Sequence, residues 1–142
     1  MRLMDSDHLS VLLETRHSQH QHLVQRLHAT NDNVALPIAV VEEQLRGWLA
    51  QIHRVGVIRK QIVPYLRLQK FVEFTHDWRI VGWNEPAADV FDALRRRRIR
   101  IGTQDLKIAC IAIASDATLL SANLRDFERV PGLKVEDWLY GS

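Results

Sequence analysis

The chain has 142 residues, of which 46% are hydrophobic and 25% charged, a balance that suits one domain with its own core and excludes a disordered polypeptide. The formal net charge is only +2 and the pI is near 9.0, so attraction to a polyanion would have to come from clustered arginines. The single cysteine, Cys110, excludes an internal disulfide and a cysteine-rich zinc site.

No apolar run reaches the ~18 residues of a membrane span. The opening "MRLMDSDHLS" lacks the apolar core of a signal peptide. A soluble, cytoplasmic protein of one domain, residues 1–142, is expected.

Along the chain, "MRLMD" reads as a short buried strand. "SDHLSVLLETR" begins a helix, and "HSQHQHLVQRLHAT" continues as a second, with Leu23, Val24 and Leu27 on one face. After the turn "NDN", the segment "VALPIAV" is β-rich, and Pro37 should end its strand because proline is poorly tolerated in a central ladder. "VVEEQLRGWLAQIHR" is amphipathic, with Val41, Leu45, Trp48 and Leu49 at helical spacing. "VIRKQIVPYLRLQKFVEFTHD" reads as a long helix kinked at Pro64.

"WRIVGW" is expected as a strand, and Pro86 starts the helix "PAADVFDALRRRR". A further helix runs from Thr103 to about Ser115, with Thr103 as its cap. "ATLLSAN" is a strand, "LRDFERV" a short helical turn and "LKVEDW" a last strand. Apolar strands that lack alternation, separated by helices, indicate an α/β fold with a mostly parallel central sheet.

In such sheets, sites form beyond the carboxyl ends of the strands. Asp5 follows the first strand, Glu43 lies just past "VALPI", Asp105 opens the apolar helix, and Asn123 follows "ATLL" with Asp126 three residues on. Carboxylates gathered at one place repel and demand a cation, and a hard dication such as Mg²⁺ or Mn²⁺ prefers oxygen ligands. That chemistry points to metal-assisted phosphodiester hydrolysis. Each acid also has a structural reading: Asp5 as a helix cap, Asp105 as a complement to a helix dipole, Asp126 as the partner of Arg129. Glu42 and Glu43 point about 100° apart, so at most one of them faces a common cleft.

These residues resemble the PIN-domain ribonucleases, in particular the VapC toxins of bacterial toxin–antitoxin pairs. The likeness is strongest at "LMDSDHLSVL" (3–12), "VVEEQLRGW" (40–48) and residues 98–138. Asp5-Ser6-Asp7 stands where the family has Asp-Thr-Asn or Asp-Thr-Asp, Glu43 precedes Gly47 by the family's four-residue spacing, and Asp105 opens a small-residue helix. The resemblance implies a three-layer α/β/α PIN-like fold and Mg²⁺- or Mn²⁺-dependent endoribonuclease activity on RNA. Asp5, Glu43 and Asp105 would be metal ligands, and Asp7 would support them. Asn123 takes a fourth position that is often aspartate, with Asp126 as its substitute, and Ser121 stands where the family usually has threonine. A homodimer and a cognate VapB-like antitoxin are implied as well.

Two other readings stay open, a structure-specific DNA nuclease and a degenerate PIN fold that only binds. The run Arg95–Arg98 is expected at a helix end, where basic side chains favour the dipole. With Arg100 it offers phosphate contacts, and Arg95, Arg98 and Arg100 are the RNA-binding candidates. The histidines of "HSQHQH" read as a solvated helix surface, and His8 as helix packing.

Overall fold

Five short apolar runs become strands, and every pairing between them is parallel. The computed structural model describes residues 1–141. The strands are β1 (Arg2–Met4), β2 (Val34–Pro37), β3 (Ile80–Val81), β4 (Thr118–Leu120) and β5 (Lys134–Glu136), in the order β3-β2-β1-β4-β5. The helices among the described residues are α1 (Ser6–Leu13), α2 (His20–Ala29), α3 (Ile38–Arg54), α4 (Ile62–Thr75), α5 (Glu85–Arg96), α6 (Thr103–Ala114) and α7 (Leu124–Phe127).

The strands lack alternation because both faces of the sheet are covered. Leu119 and Leu120, adjacent on β4 and so facing opposite ways, feed different apolar clusters. Leu119 packs with Leu3, Leu36, Ile108 and Phe127, while Leu120 packs with Val11, Leu23, Trp138 and Leu139. Helical layers therefore sandwich the sheet, as the expected three-layer α/β/α arrangement requires. Leu3, Leu36, Ile108, Leu119 and Leu120 are fully buried, and removing each such side chain from water stabilises the fold by roughly 1.5–3 kcal/mol. Helix α6 is apolar almost all round because it is enclosed; Leu106, Ile108, Ala109, Cys110, Ile111 and Ala112 are all buried. That enclosure pushes the Cys110 thiol up to about 11, so it acts as a packing group.

Strand order reverses beside β1: the chain runs outward through β2 and β3, then returns to place β4 on the other edge of β1. Loops diverge at such a switch point and leave a crevice beyond the strand ends. Asp5 follows β1 at that crevice, and Ser121 follows β4.

Several local expectations need correction. Pro64 does not kink a long helix; a 3₁₀ turn (Ile58–Gln61) precedes α4, and Pro64 is the third residue of α4. The first-turn N–H groups have no helical partner, so a proline there removes nothing. Thr103 is the first residue of α6 rather than its cap; Gly102 takes the cap position with no side-chain bond. The arginine run is not continuous helix, because α5 ends at Arg96 and Arg98 has a left-handed backbone (φ 57). The strand expected over "WRIVGW" shrinks to two residues at the sheet edge. Pro37 does end β2.

Candidate active site

Asp5 leaves β1 with an extended backbone and becomes the N-cap of α1. Its Oδ1 accepts the Ser6 N–H at 2.8 Å. Its Oδ2 accepts the Ser121 hydroxyl at 2.7 Å from the loop after β4. Asp5 is 6% exposed. The cap reading of Asp5 holds, and a cap at this strand end leaves the carboxyl at the crevice.

Burial, then the neighbouring Asp7 and Asp105 carboxylates, raise Asp5 to about 7, against the pull of its bonds from Ser121 and Ser6. Asp105 is raised too, first by burial and then by Glu43, Asp126 and Asp7. Asp105 on α6 thus faces carboxylates from α1, α3 and α7 across the crevice. Glu43 accepts a short bond from the Ser6 hydroxyl, which ties α3 to the start of α1. Glu42 turns away to Arg46 at 2.7 Å and to Gln104 at 2.8 Å. Only one of the two adjacent glutamates faces the cluster.

Asp7 is the exception in direction. Burial raises it, but bonds from His8 and from the Ala122 N–H outweigh burial and hold it below the usual range. The Ala122 N–H reaches Asp7 Oδ2 at 2.9 Å. Asn123 donates its amide to Asp126 Oδ2 at 3.2 Å, and Asp126 lies 3.9 Å from the Arg129 guanidinium. The amide at the fourth position is thus bonded to the nearby acid.

The ion pairs among the described residues leave Asp5, Glu43 and Asp105 without a cationic partner. Their donors are all oxygen, and their mutual repulsion lacks a lysine or arginine to relieve it; this is what a hard dication requires. Among the described residues no three such side chains form a ready cage. A fitting ion would use one or two carboxylates and keep several of its own waters, as Mg²⁺ does. Beside Glu43 a groove of about 280 Å³ is lined by Ser6, Gln44, Gly47, Trp48 and Gln51. Open space surrounds the Gly47 Cα, so that groove stays wide next to the acid.

The arginine candidates divide. Arg95, Arg98 and Arg100 are all exposed. Arg129 donates to the Arg100 carbonyl at 3.1 Å while reaching toward Asp126, so the Arg100 segment is tied to the acidic cluster. Arg95 lies over the Phe91 ring at 5.6 Å, and no contact links it or Arg98 to the acids. His8 packs within α1 as expected, but the sequence did not show what it bonds to. It is fully buried and bonded to Asp7 at 2.6 Å, and its only signal in the sequence is its place next to that aspartate.

No protein-family model matches the chain. It is similar to Ribonuclease VapC2 of Rickettsia felis, 44% identical over 45 residues, which is 32% of this chain and 34% of that protein. The tRNA(fMet)-specific endonuclease VapC of Salmonella typhimurium is 29% identical over 83 residues, 56% of this chain and 63% of that protein. The matched segments thus span from about a third to under two thirds of these curated relatives.

In fold, the chain resembles one from FitAcB of Neisseria gonorrhoeae, with a TM-score of 0.75 and 20% identity over 99% of both chains. It also resembles one from VapBC2 of Rickettsia felis bound to a promoter DNA fragment, with a TM-score of 0.71, 22% identity and coverage of 96% and 98%. The chain therefore resembles VapC ribonucleases in sequence and has the PIN-like fold of chains in these complexes.

Proposed function

We propose that this protein is a VapC-like endoribonuclease, the toxin of a toxin–antitoxin pair, which hydrolyses RNA phosphodiester bonds with Mg²⁺ or Mn²⁺. The observation that carries the reading is the set of uncompensated carboxylates, Asp5, Glu43 and Asp105, at the switch point of the sheet. The ion would be held by one or two of these carboxylates and its own waters, with Asn123 and Asp126 at its edge. It would supply charge stabilisation to the phosphate and a more acidic attacking water.

The remaining residues position and orient. Ser121 fixes the Asp5 carboxylate by its hydroxyl bond. Ser6 holds Glu43 toward the cleft. Arg100, whose carbonyl is bonded by the Arg129 that also reaches Asp126, would grip a flanking phosphate, a contact whose strength falls with salt. Arg95 and Arg98 would extend that grip along the strand of RNA.

A VapB-like antitoxin is the proposed protein partner, in keeping with the VapBC complexes among the fold relatives. The exposed apolar side chains of Ile58, Ile62, Tyr65 and Leu66 around α4 offer it a surface. A homodimer in the cytoplasm completes the reading; no helix among the described residues is long and apolar enough to cross a membrane.

The test is cleavage of single-stranded RNA by the purified chain with Mn²⁺ or Mg²⁺, beside Asp5→Asn and Asp105→Asn. Cleavage that needs the ion and both acids is expected. Cleavage indifferent to either substitution overturns the assignment. Preference for flapped DNA would favour a structure-specific DNA nuclease, and Mn²⁺ that fails to bind in calorimetry would favour a binding module.

A further inference from the structure

We infer that His8 is a positioning residue for this site, holding Asp7 through one defined ring tautomer and linking it to the segment after β5. The inference rests on the nuclease reading above. His8 has no exposed surface, and both ring nitrogens have partners of opposite character. The Trp138 backbone N–H lies 3.0 Å from Nε2. An amide can only donate, so Nε2 must be the bare nitrogen. The proton then sits on Nδ1, 2.6 Å from Asp7 Oδ1, and is donated to that carboxylate. The hydrogen-bond partners select the Nδ1–H form.

The other half of Asp7 completes the chain of contacts. Oδ2 accepts the Ala122 N–H at 2.9 Å, in the loop whose Ser121 hydroxyl binds Asp5. His8 thus fixes the carboxylate that pins the β4 loop, and that loop fixes Asp5. Its own anchor is rigid. The Trp138 ring is clasped by Arg2 at 5.3 Å and Arg26 at 4.7 Å, and its indole N–H donates to Glu136 at 2.9 Å. A core position filled merely for packing would not need a side chain that matches an amide on one side and a carboxylate on the other. Any unpaired polar atom there would be penalised. Groups that orient ligand carboxylates typically change metal affinity or activity by ~10–100-fold when removed.

Two isosteres separate positioning from packing. In the full chain, His8→Asn places an amide N–H near the Nδ1 position and keeps the donor to Asp7. His8→Gln places a carbonyl near Nε2 and keeps only the acceptor for Trp138. His8→Asn should retain kcat and Mn²⁺ affinity within about threefold, at a lower melting temperature. His8→Gln should lose ~10–100-fold in kcat and Mn²⁺ affinity with KM nearly unchanged. Imidazole ¹⁵N shifts of the wild-type chain at pH 7 should show Nδ1 protonated and Nε2 bare, a reading that survives if either variant fails to fold.

Equal losses in both variants that track melting temperature, or a ring carrying its proton on Nε2, would overturn the role of His8 while leaving an active nuclease. A wild-type chain that neither cleaves RNA nor binds Mn²⁺ would overturn both readings together.

Discussion

Arg2 begins a short strand that Asp5 follows, yet they belong to charge clusters of opposite design. Around Arg2 every acid has a cation. The amino terminus lies 3.0 Å from Asp32, Arg2 lies 2.7 Å from Asp32, and Arg2 also reaches Glu136 at 3.4 Å. Asp32 is held below its usual range chiefly by its bond to the amino terminus. Glu136 is lowered as well, because bonds from Trp138 and Arg2 outweigh burial. Around Asp5, the carboxylates of Asp5, Glu43 and Asp105 have no ion-pair partner among the described residues, and both Asp5 and Asp105 are raised. One cluster stabilises the fold; the other stores repulsion that a substrate-bound dication would relieve. Repulsion kept at a sheet switch point has little structural use, which is why it carries the site proposed above.

The sharpest way to break this contrast is to neutralise one acid in each cluster. Asp5→Asn or Asp105→Asn should reduce RNA cleavage by more than ~100-fold, beyond what loss of an outer contact costs. Asp32→Asn should leave cleavage unchanged. Comparable losses in all three would dissolve the distinction.

Stability against pH should diverge next. Asp5 binds its proton more tightly folded than unfolded, so its contribution to metal-free stability is greatest below about pH 4. That contribution falls as pH rises through about 7, by at most ~4 kcal/mol. Asp32 and Glu136 behave in reverse, stabilising above their ordinary range and losing that contribution as acid protonates them. Melting curves from pH 4 to 8 with and without Mn²⁺ would show it, the ion restoring stability at the alkaline end. Asp5→Asn should therefore raise the metal-free melting temperature at pH 8 even as it abolishes cleavage, whereas Asp32→Asn should lower it. The smallest effect is expected from the arginines: Arg100→Ala should raise KM several-fold and reduce the salt slope of RNA binding by ~1, with smaller changes for Arg95→Ala and Arg98→Ala.

The parallel sheet and the acids at its strand ends were legible because both follow from local pattern. Continuous apolar runs such as "ATLL" mean burial on two faces, and an acid just beyond such a run has few places to point. Helical geometry allowed only one of Glu42 and Glu43 to face the cleft, and the family's spacing to Gly47 pointed to Glu43. What stayed hidden depends on partners distant in sequence. The environment of His8 is set by the backbone of Trp138, 130 positions away, and nothing near "DSDHLS" announces it. The left-handed backbone at Arg98 breaks a run that composition alone makes look helical. Gly102, not Thr103, caps α6, a difference of one residue that sequence cannot resolve when both types are accepted at caps.

The strand order has a consequence for how such a chain comes off the ribosome. The second edge of β1 stays unpaired until residues 118–120 have been made, since β4 fills it. Ser121 and the Trp138 amide, which steady Asp5 and Asp7, arrive later still. The contacts that steady Asp5 and Asp7 from the far side of β1 therefore form only after the last strands have been made.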